Sequence, residues 1–162
     1  MGYSDTLTLQ SSLRKWLKIE NWTSPFAVTL TLKQRLWLQD RASVALTPDL
    51  ASRNLRHFLN VVNKRIYGSS AQRNGNRIRS MVALEGGHFK RLHYHLMLDC
   101  PRSDLSMEFP AILTKAWVST DWGYPQIDVQ PCDQGWLNYM TKLRDKPDFA
   151  SAFDWELCHK PN

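Results

Sequence analysis

Two histidines separated by one residue, His93 and His95, form a pattern that suits metal binding. Apolar residues alternate with them, so both imidazoles are predicted to share one face of a strand. Glu85 lies in phase with that face on the preceding predicted strand, and a hairpin over His88-Phe89-Lys90 would set it opposite His93. Two imidazoles and a carboxylate favour a divalent metal with open coordination positions. The alternative is two surface histidines spaced by chance.

The ligand types do not select the metal. Mg²⁺ or Mn²⁺ suits phosphate chemistry, whereas Zn²⁺, Co²⁺ or Ni²⁺ would also accept mixed nitrogen and oxygen ligands. The predicted cofactor is therefore a divalent metal, Mg²⁺ or Mn²⁺.

Tyr139 and Lys142 form a second pattern, on the last predicted helix. The apolar stripe of that helix comprises Trp136, Leu137, Met140 and Leu143. Tyr139 falls at the edge of this stripe, with the lysine three residues on. A phenol is a poor nucleophile at neutral pH because its unperturbed pKa is about 10, but a metal and a cation would favour the phenolate. A purely structural tyrosine is the alternative. Tyr94 is predicted to face the core and Tyr67 to end a helix, and neither has a comparable cation.

These residues need a sheet and a helix to bring them together. Alternation and helical spacing predict strands at about 26–33, 78–87, 91–98 and 124–130, and helices at about 10–20, 48–67, 106–119 and 134–145. Thr47 and Asp133 are the predicted capping residues, and Gly68 lies just beyond the second helix. Without the first and last helices, the order is β-α-β-β-α-β. This order indicates an α+β, ferredoxin-like split βαβ fold, with an antiparallel central sheet and both helices on one face. The polar face is predicted to carry Thr29, Thr31, Glu85, His93, His95, Gln126 and Asp128.

Length and composition indicate one domain over residues 1–162, with a core at about 24–146 and a tail at 147–162 packed by Phe153 and Trp155. The net charge of +6 and seven tryptophans are compatible with single-stranded nucleic acid. Three widely spaced cysteines favour a reducing cytoplasm over a disulfide framework. No apolar run long enough to cross a membrane is present, so no membrane partner is expected.

Taken together and in order, these motifs resemble those of the HUH endonucleases, and most closely the rolling-circle replication initiators. A strand of the type Phe-x-x-Thr-Leu-Thr is matched at 26–31, and the His-hydrophobic-His motif at 93–95. The Tyr-x-x-Lys motif is matched at 139–142, and Glu85 fits the additional carboxylate ligand. The resemblance covers residues of about 24–146.

The resemblance implies that Tyr139 attacks a DNA phosphodiester, leaving a 5′-phosphotyrosine and a free 3′-OH that primes replication, while Lys142 positions or neutralises the phosphate. The implied partner is single-stranded DNA at a replication origin in a prokaryotic cytoplasm, on a plasmid, phage or virus. No Gly-x-x-x-x-Gly-Lys-Ser/Thr loop is present, so a helicase would be a host protein or a fused domain. Candidate DNA contacts are Thr29, Thr31, Lys33, Arg35, Arg73, Arg77, Arg79, Arg91 and Arg144.

Three other interpretations stay open. A cupin-like metalloenzyme would use Gly87, His93, His95 and Asp99, but the chain has many helical segments and no second motif of that kind. A non-catalytic single-strand-binding module would place aromatic residues on the open sheet face. A relaxase or transposase would use the same chemistry on another substrate.

Overall fold

The computed structural model describes residues 3–87, 90–142 and 150–159. These ranges contain six strands, β1 (Pro25–Leu32), β2 (Arg35–Trp37), β3 (Ser43–Ala45), β4 (Ser80–Gly87), β5 (Lys90–Asp99) and β6 (Gly123–Pro131). The helices are α1 (Tyr3–Trp16), α2 (Pro48–Tyr67), α3 (Ser70–Arg73), α4 (Phe109–Val118) and α5 (Gln134–Met140). Among these residues, no helix combines the length and apolar character needed to cross a bilayer.

Four of the strands form one antiparallel sheet in the order β4-β5-β1-β6. Helices α2 and α4 connect its strands, so the α+β, split βαβ fold predicted from the sequence is confirmed. The central strands, β1 and β5, carry four of the candidate site residues: Thr29 is opposite His95, and Thr31 is opposite His93. The sheet therefore places these four side chains in two adjacent cross-strand pairs.

The main core lies between this sheet and the two connecting helices. Phe26, Val28, Leu30 and Leu32 of β1 are buried, and their neighbours in the strand are half-exposed, as the alternation predicts. Helix α2 begins as predicted, with the Thr47 hydroxyl accepting from the Leu50 amide, and ends at Tyr67, before Gly68, whose φ of 59° suits glycine. These local signals set where α2 begins and ends.

A second core covers part of the opposite sheet face, which was predicted from the strand alternation to be polar. Met81, Ala83 and Met97 project there and pack against side chains of α1 and α5. Phe153, from the segment at 150–159, completes this cluster as predicted, whereas Trp155, also predicted to pack the tail, is 47% exposed and contacts the Phe153 ring. The same segment runs along β4, where the Leu84 amide donates to the Ala152 carbonyl, and it protects the edge of the sheet. Only the remainder of that face is open for a polar site.

Gly86 sets the register of the β4–β5 hairpin. Glu85 pairs with His93, as predicted, but Gly87 pairs with Lys90, so Gly86 forms an irregularity between the two pairs. Its φ is 115°, and a Cβ there would lie 2.5 Å from the Arg91 carbonyl oxygen, so only glycine fits. The hairpin is thus tighter than the three-residue closure predicted over His88-Phe89-Lys90. His88 and Phe89 themselves lie outside the described residues.

Some elements differ from the predictions. Helix α1 spans Tyr3–Trp16 rather than 10–20, because the Lys18 backbone is not helical (φ −42°, ψ 125°) and a short 3₁₀ turn follows at Ile19–Asn21. The hairpin β2–β3 and the short helix α3 were not predicted. Helix α5 ends at Met140 in the described residues, where the Lys142 amide donates to the Tyr139 carbonyl at 3.2 Å, and the predicted continuation through 143–145 lies outside them.

Candidate functional site

Glu85, His93 and His95 converge on the open part of the sheet. The two histidine Nε2 atoms are 3.2 Å apart, and the Glu85 Oε2 atom is 3.5 Å from His95 Nε2 and 4.0 Å from His93 Nε2. Glu85 and His95 are buried, whereas His93 is partly exposed. The group therefore has one closed side, formed by protein, and one side that solvent or a substrate can reach.

Backbone and hydroxyl groups orient both imidazoles. His93 Nδ1 donates to the Arg91 carbonyl at 2.8 Å, which leaves its Nε2 lone pair directed at the cluster. The Thr29 hydroxyl lies 3.1 Å from His95 Nδ1, so it can hold that ring in the same way. Hydrogen bonds of this type to the second nitrogen are usual for metal-binding histidines. Thr29, predicted to contact DNA, is thus placed behind His95.

The donor set fits a divalent metal ion. The three candidate ligand atoms all lie within 4.8 Å of one another. Ligands that are each about 2.1 Å from one ion stand about 3–3.5 Å apart, close to the distances between these atoms. Three ligands from protein leave further coordination positions open on the exposed side. Glu85, His93 and His95 could therefore hold such an ion with little rearrangement.

Helix α5 places Tyr139 directly beside this cluster. The Asp133 side chain caps the helix by accepting from the Trp136 amide at 2.9 Å. The Trp136 indole donates to the Leu96 carbonyl of β5 at 3.0 Å, which fixes the helix on the sheet. The phenolic oxygen of Tyr139 then lies 3.4 Å from His95 Nε2, and the tyrosine remains 40% exposed. The sequence pattern predicted the position of Tyr139 on the helix, but it did not predict the hydrogen bond from the Trp136 indole to β5.

Aromatic rings and one cation surround the tyrosine ring. Trp136 stacks on it with ring centroids 5.4 Å apart, and His95 meets it edge-on at 5.1 Å. Lys142 Nζ lies 3.7 Å from the ring centroid, which is a cation–π contact. The two residues are thus neighbours, as their three-residue spacing predicts. Such a ring is held in one orientation, with its hydroxyl group towards the metal cluster.

Two of the other tyrosines are poor candidates for a nucleophile. Burial raises the pKa of the Tyr94 hydroxyl and also that of Tyr67. Tyr94 is fully buried in the main core, as its strand phase predicted. Neither phenol would ionise readily.

Helix α1 holds the end of the tyrosine helix, a contact that the sequence did not predict. Arg14 Nε donates to the Thr141 hydroxyl at 2.8 Å, and the Gln10 amide donates to the Thr141 carbonyl at 2.6 Å. Thr141 is fully buried and also donates to the Leu137 carbonyl. It sits between Tyr139 and Lys142 in sequence, so these contacts constrain both residues.

Arg14→Ala is expected to loosen this end of α5. Loss of a charge-assisted hydrogen bond to a buried hydroxyl should lower the free energy of unfolding by about 1–2 kcal/mol, and the amide hydrogen of Thr141 should exchange faster. Denaturant unfolding and hydrogen exchange would measure both effects. The matched control is Lys15→Ala, an exposed neighbour of equal charge, which should change stability by less than about 0.5 kcal/mol. Equal unfolding free energies and equal Thr141 exchange rates in the two variants would contradict a role for Arg14 in holding this end of α5.

The predicted DNA contacts divide into groups. Thr31 and Arg91 lie near the cluster: Thr31 is opposite His93 and donates to the Gln126 carbonyl, and Arg91 is exposed two residues before His93. Lys33 follows β1 at the same end of the sheet and donates to the Asp121 carbonyl at 2.8 Å. Arg35 lies further along, in β2. Arg144 lies outside the described residues.

Three other arginines lie away from the cluster. Arg73 and Arg77 are exposed and precede β4, at the opposite end of that strand from Glu85. Arg79 is buried, donates to the Asn21 carbonyl and covers the Trp22 ring at 4.1 Å. Its guanidinium group therefore holds the segment that follows α1 against the sheet. This placement argues against the DNA contact predicted for Arg79.

The fold rules out the cupin-like interpretation. The sheet is open and four-stranded with helices on it, whereas the cupin arrangement is a jelly roll. Asp99, which that motif would require as a ligand, lies at the far end of β5 and accepts from the amides of Thr23 and Ser24 at 3.1 and 2.7 Å. Its carboxylate has a structural role.

Comparison with known proteins gives an independent assignment. The model of the replication-associated protein ORF2/G2P family matches residues 25–148. No curated protein and no solved structure gives a significant match to the chain. The matched segment includes Glu85, both histidines, Tyr139 and Lys142, and it excludes α1. Because it covers most of the chain, the protein belongs to the replication-associated protein ORF2/G2P family.

Proposed function

We propose that this protein initiates DNA replication by nicking and rejoining single-stranded DNA, with Tyr139 as the nucleophile. The observation that carries the proposal is the 3.4 Å distance between the phenolic oxygen of Tyr139 and His95 Nε2, in a group able to hold a divalent metal. Family membership supports a role in replication and a nucleic-acid partner. A partly exposed phenol beside such a group is suited to phosphoryl transfer.

In the proposed step, Tyr139 Oη forms a bond to phosphorus, and the bond between phosphorus and the 3′ oxygen breaks. The phenolic proton passes to solvent, and the 3′ oxygen takes up a proton to become a free hydroxyl. The products are a 5′-phosphotyrosine and a 3′-OH that can prime synthesis. Attack of that 3′-OH on the phosphotyrosine would reverse the step and rejoin the strand, so no external energy source is needed.

The residues around Tyr139 would orient and assist the attack. Trp136 and His95 restrict the ring, so that little orientational freedom has to be lost in the transition state. Lys142, held over the ring face, lies close enough to approach a phosphate and neutralise part of its charge. A divalent ion bound by Glu85, His93 and His95 would supply positive charge that polarises the scissile phosphate.

A denaturing gel tests the proposal. The protein is mixed with Mn²⁺ or Mg²⁺ and a random pool of single-stranded DNA that is labelled at either the 3′ or the 5′ end. A covalent adduct that retains the 3′ label and releases the 5′ label is expected, because the tyrosine would hold the 5′ phosphate. EDTA should abolish the adduct.

Either of two results would contradict the proposal. Binding without any adduct in all metals tested would indicate a non-catalytic single-strand-binding module. Retention of the 5′ label would indicate the opposite polarity of cleavage. Sequencing of the retained strand would identify the preferred target and separate an origin from the ends of a transposon or a transfer origin.

A further inference from the structure

The hairpin β2–β3 has no role in the site described so far. It projects after β1, and its strands pair Arg35 with Ala45 and Trp37 with Ser43. Leu36 packs against the main core, so Arg35 and Trp37, which alternate with it, project away from that core. One face of the hairpin, which includes Leu36, thus packs against the main core, and the other face, with Arg35 and Trp37, is exposed to solvent.

Trp37 is unusually exposed for a tryptophan. Its exposed fraction is 74%, the highest among the seven tryptophans of the chain, and Leu38 beside it is 50% exposed. The rings of Trp117, Trp122 and Trp22 are buried in the cores. Trp37 and Leu38 are adjacent exposed apolar residues with polar residues around them, and apolar patches of this kind mark interaction sites. Nothing in the described part of the chain covers Trp37.

The charges around Trp37 favour a polyanion as that partner. Lys33, Arg35 and Arg41 lie between residues 33 and 46, against a single carboxylate, Asp40. The Asp40 side chain accepts from the Ala42 amide at 3.0 Å, so it is engaged in shaping the turn. Cations interleaved with an exposed aromatic ring are the combination that binds single strands, by phosphate contacts and base stacking.

The base of the hairpin is fixed to the residue next to a candidate metal ligand. The Gln34 amide donates to the Leu92 carbonyl at 3.1 Å and accepts from the Leu92 amide at 3.0 Å, and Leu92 precedes His93. The Leu46 amide, after β3, donates to the Gln34 carbonyl. Thr31, opposite His93, is six residues before Trp37, so their Cα atoms are at most about 22 Å apart. A strand leaving the site can therefore reach the hairpin.

Arg41 adds an independent observation at the tip of the hairpin. Its φ is 65°, and it is the one non-glycine residue with positive φ in the described part of the chain. Arginine is strained in this conformation, whereas glycine is not. The Arg41 amide donates to the Leu38 carbonyl, so this is the left-handed position of the hairpin turn, which glycine usually occupies. Arginine here costs backbone strain and places an exposed guanidinium group at the tip of the hairpin.

We infer that the hairpin β2–β3 is a second binding element for single-stranded DNA, in which Trp37 stacks on a base of the strand next to the cleavage site and Arg35 and Arg41 contact its phosphates. The inference rests on the proposed function for its substrate, and it adds a subsite outside the Tyr139 site. It predicts that the affinity of the protein for single-stranded DNA depends on Trp37 even under conditions in which no cleavage occurs.

Binding to fluorescein-labelled oligothymidylate in EDTA tests the inference, because cleavage is then absent. Trp37→Ala should raise the dissociation constant about tenfold or more, since stacking on one base contributes that much, whereas Trp37→Phe should stay within about threefold of wild type. The matched control is Met107→Ala, a residue 93% exposed beyond the opposite end of β1, which should bind like wild type.

Arg41→Gly separates binding from stability. Because glycine relieves the strained φ, the variant should unfold at no lower temperature than wild type. It should nevertheless bind oligothymidylate about threefold to tenfold more weakly, and its logarithmic dependence on salt should be shallower by about 0.7, the value for one phosphate contact on a single strand. A purely structural role for Arg41 would leave both the affinity and the salt dependence unchanged.

The outcomes for the hairpin and for the nuclease are distinguishable. Unchanged affinity of Trp37→Ala would overturn the inference whether or not wild type forms an adduct. A change in oligomeric state with unchanged DNA affinity would also overturn it and indicate a protein interface. If wild type forms no adduct in Mn²⁺ but Trp37→Ala still weakens binding, the hairpin inference stands and the proposed chemistry fails.

Discussion

Tyr139→Phe is expected to abolish the covalent protein–DNA adduct, with a decrease in its rate of formation of at least about 1,000-fold. The substitution removes only the phenolic oxygen that would attack phosphorus. The ring contacts with Trp136, His95 and Lys142 involve the aromatic faces and edges, which phenylalanine retains. Adduct formation on denaturing gels, at saturating DNA and Mn²⁺, measures the effect.

Tyr124→Phe is the matched control for this prediction. Tyr124 lies in β6 and is 42% exposed, nearly the same as the 40% of Tyr139. Both variants should keep wild-type unfolding temperatures within a few degrees, because an exposed hydroxyl contributes about 0.5 kcal/mol or less. Wild-type adduct levels in Tyr139→Phe, or their loss in Tyr124→Phe, would mean that another tyrosine is the nucleophile.

Glu85→Gln is expected to remove the stabilisation that Mn²⁺ gives to the folded protein. An ion present at about 100 times its dissociation constant stabilises the native state by about 2.7 kcal/mol, which corresponds to a rise of about 5–10 °C in Tm for a chain of this size. The amide of glutamine keeps the shape of the side chain but not its charge. Thermal unfolding with and without Mn²⁺ measures the rise in each protein, and DNA is not required.

The control for the metal site is Glu20→Gln, an exposed glutamate in the 3₁₀ turn after α1. Its Mn²⁺-dependent rise in Tm should equal that of wild type. A rise of the same size in Glu85→Gln would show that the ion binds elsewhere. The adduct yield of Glu85→Gln in Mn²⁺ should fall together with the Tm effect, since both depend on the same bound ion.

Much of the fold follows from patterns that act over short distances. The alternation in β1, the proline and capping threonine of α2, and the apolar residues between His93 and His95 each specify a local structure and a buried face. Strand phase decides which side chains share a face, so the sequence alone places Glu85 on the face of the histidines. Its pairing with His93 is as predicted because the irregularity at Gly86 offsets the tighter hairpin. The pairing of the candidate metal ligands was thus predictable.

Contacts between distant segments were not predictable in the same way. The hydrogen bonds from Arg14 and Gln10 to Thr141 join residues more than 120 positions apart, and no periodic pattern records them. The burial of Arg79 depends on Trp22 and the carbonyl of Asn21, so a basic residue counted as a surface contact proved structural. The second core on the sheet's other face likewise depends on where α1 docks.

Mass spectrometry of the digested adduct would test the central claim most directly. Wild-type protein is incubated with Mn²⁺ and single-stranded DNA, and the adduct is digested with nuclease and with a protease that cleaves beside aspartate. Asp128 and Asp133 lie between Tyr124 and Tyr139, so this digestion separates the two tyrosines. We predict that the residual nucleotide is attached through a phosphotyrosine bond in the peptide that contains Tyr139, and in no peptide that contains Tyr67, Tyr94 or Tyr124. A nucleotide attached to any other residue would contradict the assignment of the nucleophile and the function built on it.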